Sequence, residues 1–241
     1  MMDNWVDCGT YLMSTAPQGG EQWHELRDTN VFFPGDIIVT GSQFHEAADI
    51  PPFGRSDRLA YAKITRKKKK FPPEALERMK QGSIHEDPIR QLYEHEFKVQ
   101  VKEVGLAIPK WYPYIGSSLD GIIGEDGCIE IKYVKEIKPP MREAARKFAT
   151  DPTWRPPDAS HLPQNYYAQM QGGMAITGRK WCDFVVYCHT TGELYTEKIF
   201  FDPKYWNEFL FPKLRHFREV IVPLVRENLE AHHKHFEGEF C

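Results

Sequence analysis

The chain has 241 residues, with 31 Lys plus Arg against 34 Asp plus Glu, a formal net charge of −3 and 41% hydrophobic residues. That balance supports a sizeable core and excludes intrinsic disorder, collagen and coiled coil; no apolar run approaches the roughly 18 residues needed to cross a bilayer. Residues 1–23 lack the basic-then-apolar order of a secretory signal, and Cys8, Cys128, Cys182, Cys188 and Cys241 show no zinc spacing. The expectation is an intracellular protein of cytoplasm or nucleus, not secreted, with free thiols and no membrane partner.

In chain order, residues 21–27 read as a short helix packing Trp23 and Leu26. Residues 73–97 read as helical with Leu76, Met79, Ile89, Leu92, Tyr93 and Phe97 as the apolar stripe; Pro88 cannot donate to a helix interior, so the helix either kinks there or restarts on an Asp87 cap. Strand-like runs follow at 98–104, 114–123 and 128–135, the last two joined by a turn at 124–127 as an antiparallel hairpin. Residues 163–177 predict a helix, 183–188 and 194–201 a second hairpin, and Asp202-Pro203 opens a long helix with Trp206, Leu210, Leu214, Phe217, Ile221 and Leu224 as its stripe. Proline-rich joints at 50–53, 71–73, 138–140 and 152–157 read as loops. The order predicts a mixed α/β or α+β single domain over 1–241, with an N-terminal helical cap at about 1–70 and a core at about 71–232.

The small net charge hides a segregation. Residues 1–60 carry nine acids and three bases, 55–80 ten bases and three acids, and 132–155 seven bases and three acids. Basic flanks around an acidic centre suit a polyanion handled with metal ions. The run 66–70 by itself reads as readily as a solvated loop or a nuclear address as it does as a polyanion contact.

The acidic centre holds the chemistry. On a strand through Glu130, Ile131 and Lys132, alternation turns Ile131 to the core and sets Glu130 and Lys132 on one face. Asp120 joins them only if the hairpin pairs residues 120 and 130, which requires an odd-numbered loop centred on Glu125 or a bulge at Gly127; a plain four-residue loop faces it away. Two carboxylates beside a lysine bind a hard divalent cation through oxygen and place an amine where it orients or deprotonates a water. Glu86 on the preceding helix and Gln169 and Gln171 on the following one are the candidates to converge on the same point.

These residues resemble the PD-(D/E)XK nucleases, whose core is a helix, three strands, a helix and a further strand, a mixed central sheet flanked by helices. Within them the likeness is to the phage lambda exonuclease and YqaJ-type viral recombinase nucleases, and it covers about residues 18–228. It rests on Gln18-Gly-Gly-Glu-Gln-Trp-His-Glu-Leu-Arg27 as the opening segment, Gly82-Ser-Ile-His-Glu-Asp-Pro88 as the first acidic motif, Ser118-Leu-Asp-Gly121 with Glu130-Ile-Lys132 as the metal site, and Tyr166-Tyr-Ala-Gln-Met-Gln-Gly172 as the glutamine helix. Residues 28–39 and the lysine run depart from the family pattern.

The resemblance implies a metal-dependent exonuclease that digests linear double-stranded DNA from the 5′ end for viral recombination or genome processing. Asp120, Glu130 and the carbonyl of Ile131 would hold Mg²⁺, with Mn²⁺ as a substitute, and Glu86 would help hold the same or a second ion. Lys132 would contact the attacking water, and cations beside it would push it towards its neutral form. Gln169 would position water or phosphate with Tyr166 packed beside it. Arg27, Ser42 and Ser118 would form a pocket for the 5′-phosphate, the alternative for Arg27 being a surface ion pair with Asp28 or Glu25. The partners implied are double-stranded DNA ends, a single-strand annealing protein and further copies of the chain in a homotrimer. The competing readings are an endonuclease of the same fold and a catalytically silent nucleic-acid binding module. His232, His233 and His235 read as a fraying terminal helix before a metal tail.

Overall fold

The computed structural model describes residues 4–30, 32–150 and 159–241. The loop expected at 152–157 lies outside the described residues. Strand β1 (Trp5–Asp7) and β2 (Tyr11–Ser14) precede helix α1 (Glu21–Asp28), which buries Trp23 and Leu26 as expected. Strand β3 (Val39–Thr40), the short turn Gly41–Gln43, α2 (Phe44–Ala47) and α3 (Ser56–Thr65) lead to α4 (Pro73–Phe97). Then come β4 (Leu106–Pro109), β5 (Ile115–Ser118), β6 (Gly121–Ile123), β7 (Gly127–Val134), α5 (Pro139–Thr150), α6 (Gln164–Thr177), β8 (Trp181–Cys188) and β9 (Glu193–Phe200).

The expected mixed sheet is present as two. One runs β1-β2-β4-β5-β3 and the other β6-β7-β8-β9. The run at 114–123 is therefore not one strand: it breaks at Leu119 and Asp120, where the chain leaves the first sheet for the second. Residues 1–70 are likewise more than a helical cap, because β1 and β2 extend β4 and β3 pairs parallel with β5. Strand-forming alternation over three or four residues is too short to stand out in sequence. The strand expected at 98–104 reduces to a bridge between Lys102 and Ile122.

In the second sheet β7 and β8 pair parallel along their whole length, and residues Gly127 to Ile131 of β7 are all buried. Ile129 and Ile131 face Ile89 and Tyr93 of α4, whereas Cys128 packs with Met170 and Met174 of α6. A strand covered on both faces keeps a charged residue only where it has a partner or a task. Helix α4 runs on through Pro88, and Asp87 pairs with Arg90 and Gln91 rather than opening a new helix. Of its expected stripe only Ile89 and Tyr93 are buried; Leu76 and Met79 in the first half of α4 and Leu92 and Phe97 in the second are exposed. The joint expected as a loop at 138–140 instead opens helix α5, because prolines fit a first helical turn.

Residues 203–235 alternate π-helical turns, Tyr205–Leu210 and Phe217–Ile221, with α7 (Phe211–His216), α8 (Val222–Glu227) and α9 (Leu229–His235). Each π turn adds a residue, so the buried row runs Trp206, Leu210, Leu214, Phe217 and then shifts to Val222 and Val225 in place of Ile221 and Leu224. The C-terminal helix does not fray: His233 Nδ1 lies 2.6 Å from the Tyr61 hydroxyl, and His232 and His235 pack on Phe236. The basic run is tied down as well, with Lys68 and Lys70 N–H groups donating to the carbonyls of Cys241 at 3.1 Å and Glu239 at 2.9 Å. The five cysteines are free thiols.

Candidate active site

The hairpin pairs Gly121 with Ile129, Ile122 with Cys128 and Ile123 with Gly127, leaving the three-residue loop 124–126 centred on Glu125. This is the odd-numbered alternative, and no bulge is needed. Extending the register by one pair sets Asp120 opposite Glu130, so Asp120, Glu130 and Lys132 share one face of the sheet. Gly124 has a φ of 55°, the left-handed conformation that closes the loop. At Gly121 a Cβ would overlap Val101 Cγ1, so glycine is what lets the chain turn in tightly after Asp120.

Asp120 and Glu130 are almost wholly buried, at 9% and 1% exposure. The Ile131 N–H donates to Asp120 Oδ2 at 2.7 Å, which aims that carboxylate along β7. Gln18 Nε2 donates to the carbonyls of Leu119 at 2.6 Å and Val104 at 2.8 Å, anchoring the residue before Asp120. The Lys132 amine contacts the Glu130 carboxylate and stands 5.1 Å from the centre of the Tyr166 ring. Glu86 enters half-buried from α4, the helix on the other face of the sheet.

Burial, then the charge of neighbouring carboxylates, dominates the electrostatics. Burial raises the pKa of Asp120 above the usual carboxylate range. Glu130 is pushed up to about 8 by burial and by Asp120 beside it, and Glu86 to about 7 by burial and again by Asp120. Burial alone would lower Lys132, but Glu130 and Asp120 outweigh it and hold the amine above its ordinary value. Among the carboxylates alone the Lys132 amine is thus held as an ammonium.

The donor set fits a hard divalent cation. Glu130 Oε1 is buried and finds the Lys132 amine but no hydrogen bond of good geometry, and a second carboxylate raises the cost of charging it. An oxygen-binding cation removes that cost. Among the described residues no three of His, Cys, Asp and Glu gather closely enough to enclose a metal ion; the two carboxylates that stand together are Asp120 and Glu130, and Glu86 lies within the field of Asp120.

A second group adjoins. Arg27 lies 4.1 Å over the Trp23 ring and donates from Nη2 to Ser42 Oγ at 2.9 Å and Thr40 Oγ1 at 3.3 Å. Trp23 Nε1 donates to Ser118 Oγ at 3.0 Å, so the indole joins Arg27 to Ser118. Asp28 is taken by Lys63 at 3.4 Å, and among the described residues Arg27 has no ion pair, which removes the surface-pair alternative. Burial lowers its pKa, while Asp28, Asp120 and Glu130 act the other way, which sets Arg27 within the field of the carboxylates. Gln169 sits beside Gly41, on the turn that carries Ser42. Gln171 is a core residue, donating to the Phe200 carbonyl at 2.9 Å and accepting from the Asp202 N–H at 2.8 Å. Gln18 and Thr40 have no sequence signal for this role, and Trp23 is expected from sequence only as a packing residue. For Trp23 a signal existed, since residues four apart on a helix share a face with Arg27.

This fold is shared with solved exonucleases. An alkaline exonuclease from Laribacter hongkongensis is 24% identical, with a TM-score of 0.59, covering 88% of this chain and 100% of that one. The same exonuclease in complex with dAMP gives 23% and 0.58 at the same coverage. A phage-related exonuclease from Haemophilus somnus is 14% identical with a TM-score of 0.56, over 82% of this chain and 98% of that one. Residues 22–180 match the YqaJ-like viral recombinase domain, and the chain belongs to that family. No curated protein matches it. Among the described residues no helix is long and apolar enough to cross a membrane.

Proposed function

We propose that this chain is a Mg²⁺-dependent exonuclease that digests one strand of linear double-stranded DNA from the 5′ end, in phage-type recombination or genome processing. The observation that carries the reading is the buried pair Asp120 and Glu130 aligned with Lys132 on one sheet face of a YqaJ-like chain. Asp120, Glu130 and the Ile131 carbonyl would hold the ion, with Glu86 assisting; when bound it lowers the pKa of water and stabilises charge on the phosphodiester.

The chain's own groups supply the rest. The Ile131 N–H keeps Asp120 oriented, so the carboxylate need not reorganise. Lys132 as an ammonium orients the attacking water or a phosphate oxygen, with Tyr166 limiting where the amine can swing. The Arg27 guanidinium, braced on Trp23, and the hydroxyls of Ser42 and Ser118 suit a terminal phosphate, which accepts paired and neutral donors together. Gln169 stands next to that turn and would contact the strand entering the site.

The test is digestion of linear duplexes labelled at the 5′ or the 3′ end, with Mg²⁺, alongside closed circular DNA. Early release of the 5′ label with circles intact is the expected result. Cutting of closed circles would replace the exonuclease by an endonuclease, and binding without cleavage by a silent module. Glu130→Ala should lose roughly a thousandfold in rate, about 4 kcal/mol of transition-state stabilisation, together with cation binding seen by calorimetry.

A further inference from the structure

We propose that Arg179 is a positioning residue that acts through the 124–126 loop to keep Asp120 opposite Glu130, an inference that rests on reading those carboxylates as the metal-holding pair. Arg179 follows the Gly178 cap of α6 and precedes β8. Its Nη1 donates to the carbonyls of Gly124 at 2.7 Å and Glu125 at 2.6 Å and reaches that of Gly127 at 3.5 Å. Among the described residues the guanidinium makes no ion pair, so its charge strengthens bonds to neutral carbonyls instead. Two neighbours grip the same loop. The Lys180 N–H donates to the Asp126 carbonyl at 2.7 Å, and its amine stands 3.1 Å from the Asp126 carboxylate. The Trp181 ring lies where a Cβ on Gly127 would be. The carbonyls of all three loop residues are thus held by Arg179 and Lys180.

The loop is where the register of the site is decided. Strand β6 is only Gly121, Ile122 and Ile123. With isoleucine at two adjacent positions, a slip of one residue still buries an isoleucine, so the apolar pattern does not distinguish the correct pairing from one that turns Asp120 to the opposite face. Three paired residues specify little by themselves. The Lys102–Ile122 bridge pins the other edge of β6, and loop length and loop conformation supply the choice on the β7 side, where Arg179 holds two of the three loop carbonyls in the conformation that makes it.

The Ile131 N–H bond to Asp120 Oδ2 gives a readout that needs neither metal nor turnover. The experiment compares wild type, Arg179→Met, which keeps the stem and loses the donors, and Arg179→Lys, which keeps the charge and one donor site. Amide exchange is measured by NMR on metal-free protein, and Mn²⁺ binding by calorimetry. The expected result for Arg179→Met is exchange at Ile131 at least tenfold faster, with Val185 and Val186 of β8 as protected as in wild type, and Mn²⁺ affinity at least tenfold weaker; Arg179→Lys should fall between. Unchanged Ile131 exchange, unchanged Mn²⁺ affinity, or an equal loss of protection throughout β7 and β8 would overturn the assignment. Should Arg179→Met not fold, Arg179→Lys decides on the same criteria. If wild type takes up no Mn²⁺, the metal reading fails, and the Ile131 exchange alone decides whether Arg179 holds the register.

Discussion

Lys132 is the residue whose surroundings set its chemistry. It is flanked by the carboxylates that raise its pKa, and in the proposed reaction its role is that of a donor that orients rather than a base. Removing it should leave cation and DNA affinity near wild type while kcat falls by about a hundredfold or more, roughly 2.7 kcal/mol, because an orienting amine acts mainly on the transition state. An equal loss of DNA affinity in a filter-binding assay would make it a phosphate clamp instead. If Glu130 holds the cation as proposed, protons compete for the same oxygens, because burial and Asp120 push its pKa up to about 8. Apparent Mg²⁺ affinity should therefore climb between pH 6 and 8 and flatten above it, with proton release on binding visible as a buffer-dependent calorimetric heat. A pH-independent affinity over that range would show that Glu130 is not a ligand.

At the level of elements, α1 works as a bracket. Its Trp23 and Arg27 lie on one face, the indole bonding Ser118 from β5 and the guanidinium bonding Ser42 from the turn after β3. A single helix thereby joins two strand ends beside the carboxylates. Lys63 from α3 completes the bracket by donating to the Arg27 carbonyl at 2.9 Å, satisfying one of the acceptors a helix end leaves open. Arg27→Ala should slow digestion of 5′-phosphorylated duplex by about tenfold or more, with little change on 5′-hydroxyl duplex and unaltered cation binding. If both substrates slow equally, the pocket does not read the terminal phosphate.

For the whole molecule, the same buried carboxylates make the metal-free fold sensitive to alkali. Burial, with Asp120 beside them, pushes Glu86 up to about 7 and Glu130 up to about 8, above the ordinary value of 4.5. A carboxyl whose pKa is raised on folding binds protons more tightly in the native state, so its contribution to stability is present below the unfolded pKa and is lost as pH rises through the folded one. The metal-free protein should therefore lose several degrees of Tm between about pH 5 and 8, and saturating Mg²⁺ should restore them at pH 8 by binding the folded state. A Tm that rises over that interval without metal would contradict the burial argument.

Local pattern determined a good deal: helix α1, the hairpin around Glu125, the alternation that groups Glu130 with Lys132, the glutamine helix α6 and the second hairpin follow from periods of two and 3.6 residues, which are written in neighbouring positions. The motif residues 82–88, 118–121, 130–132 and 166–172 also carried the family. What sequence could not decide depended on contacts between distant segments. Whether Asp120 faced Glu130 hung on one residue of loop length, held by Arg179 from fifty-odd positions away. The break at Leu119 and Asp120 is imposed by two sheets competing for adjacent residues. The stripe shift beyond Phe217 comes from a π turn that local propensity does not announce, and the exposure of Leu76 and Met79 shows that a helical period does not say which face meets a partner. Side-chain alternation is local and therefore legible, whereas register, sheet membership and burial are set by which partner a segment meets, and only the tertiary structure names that partner.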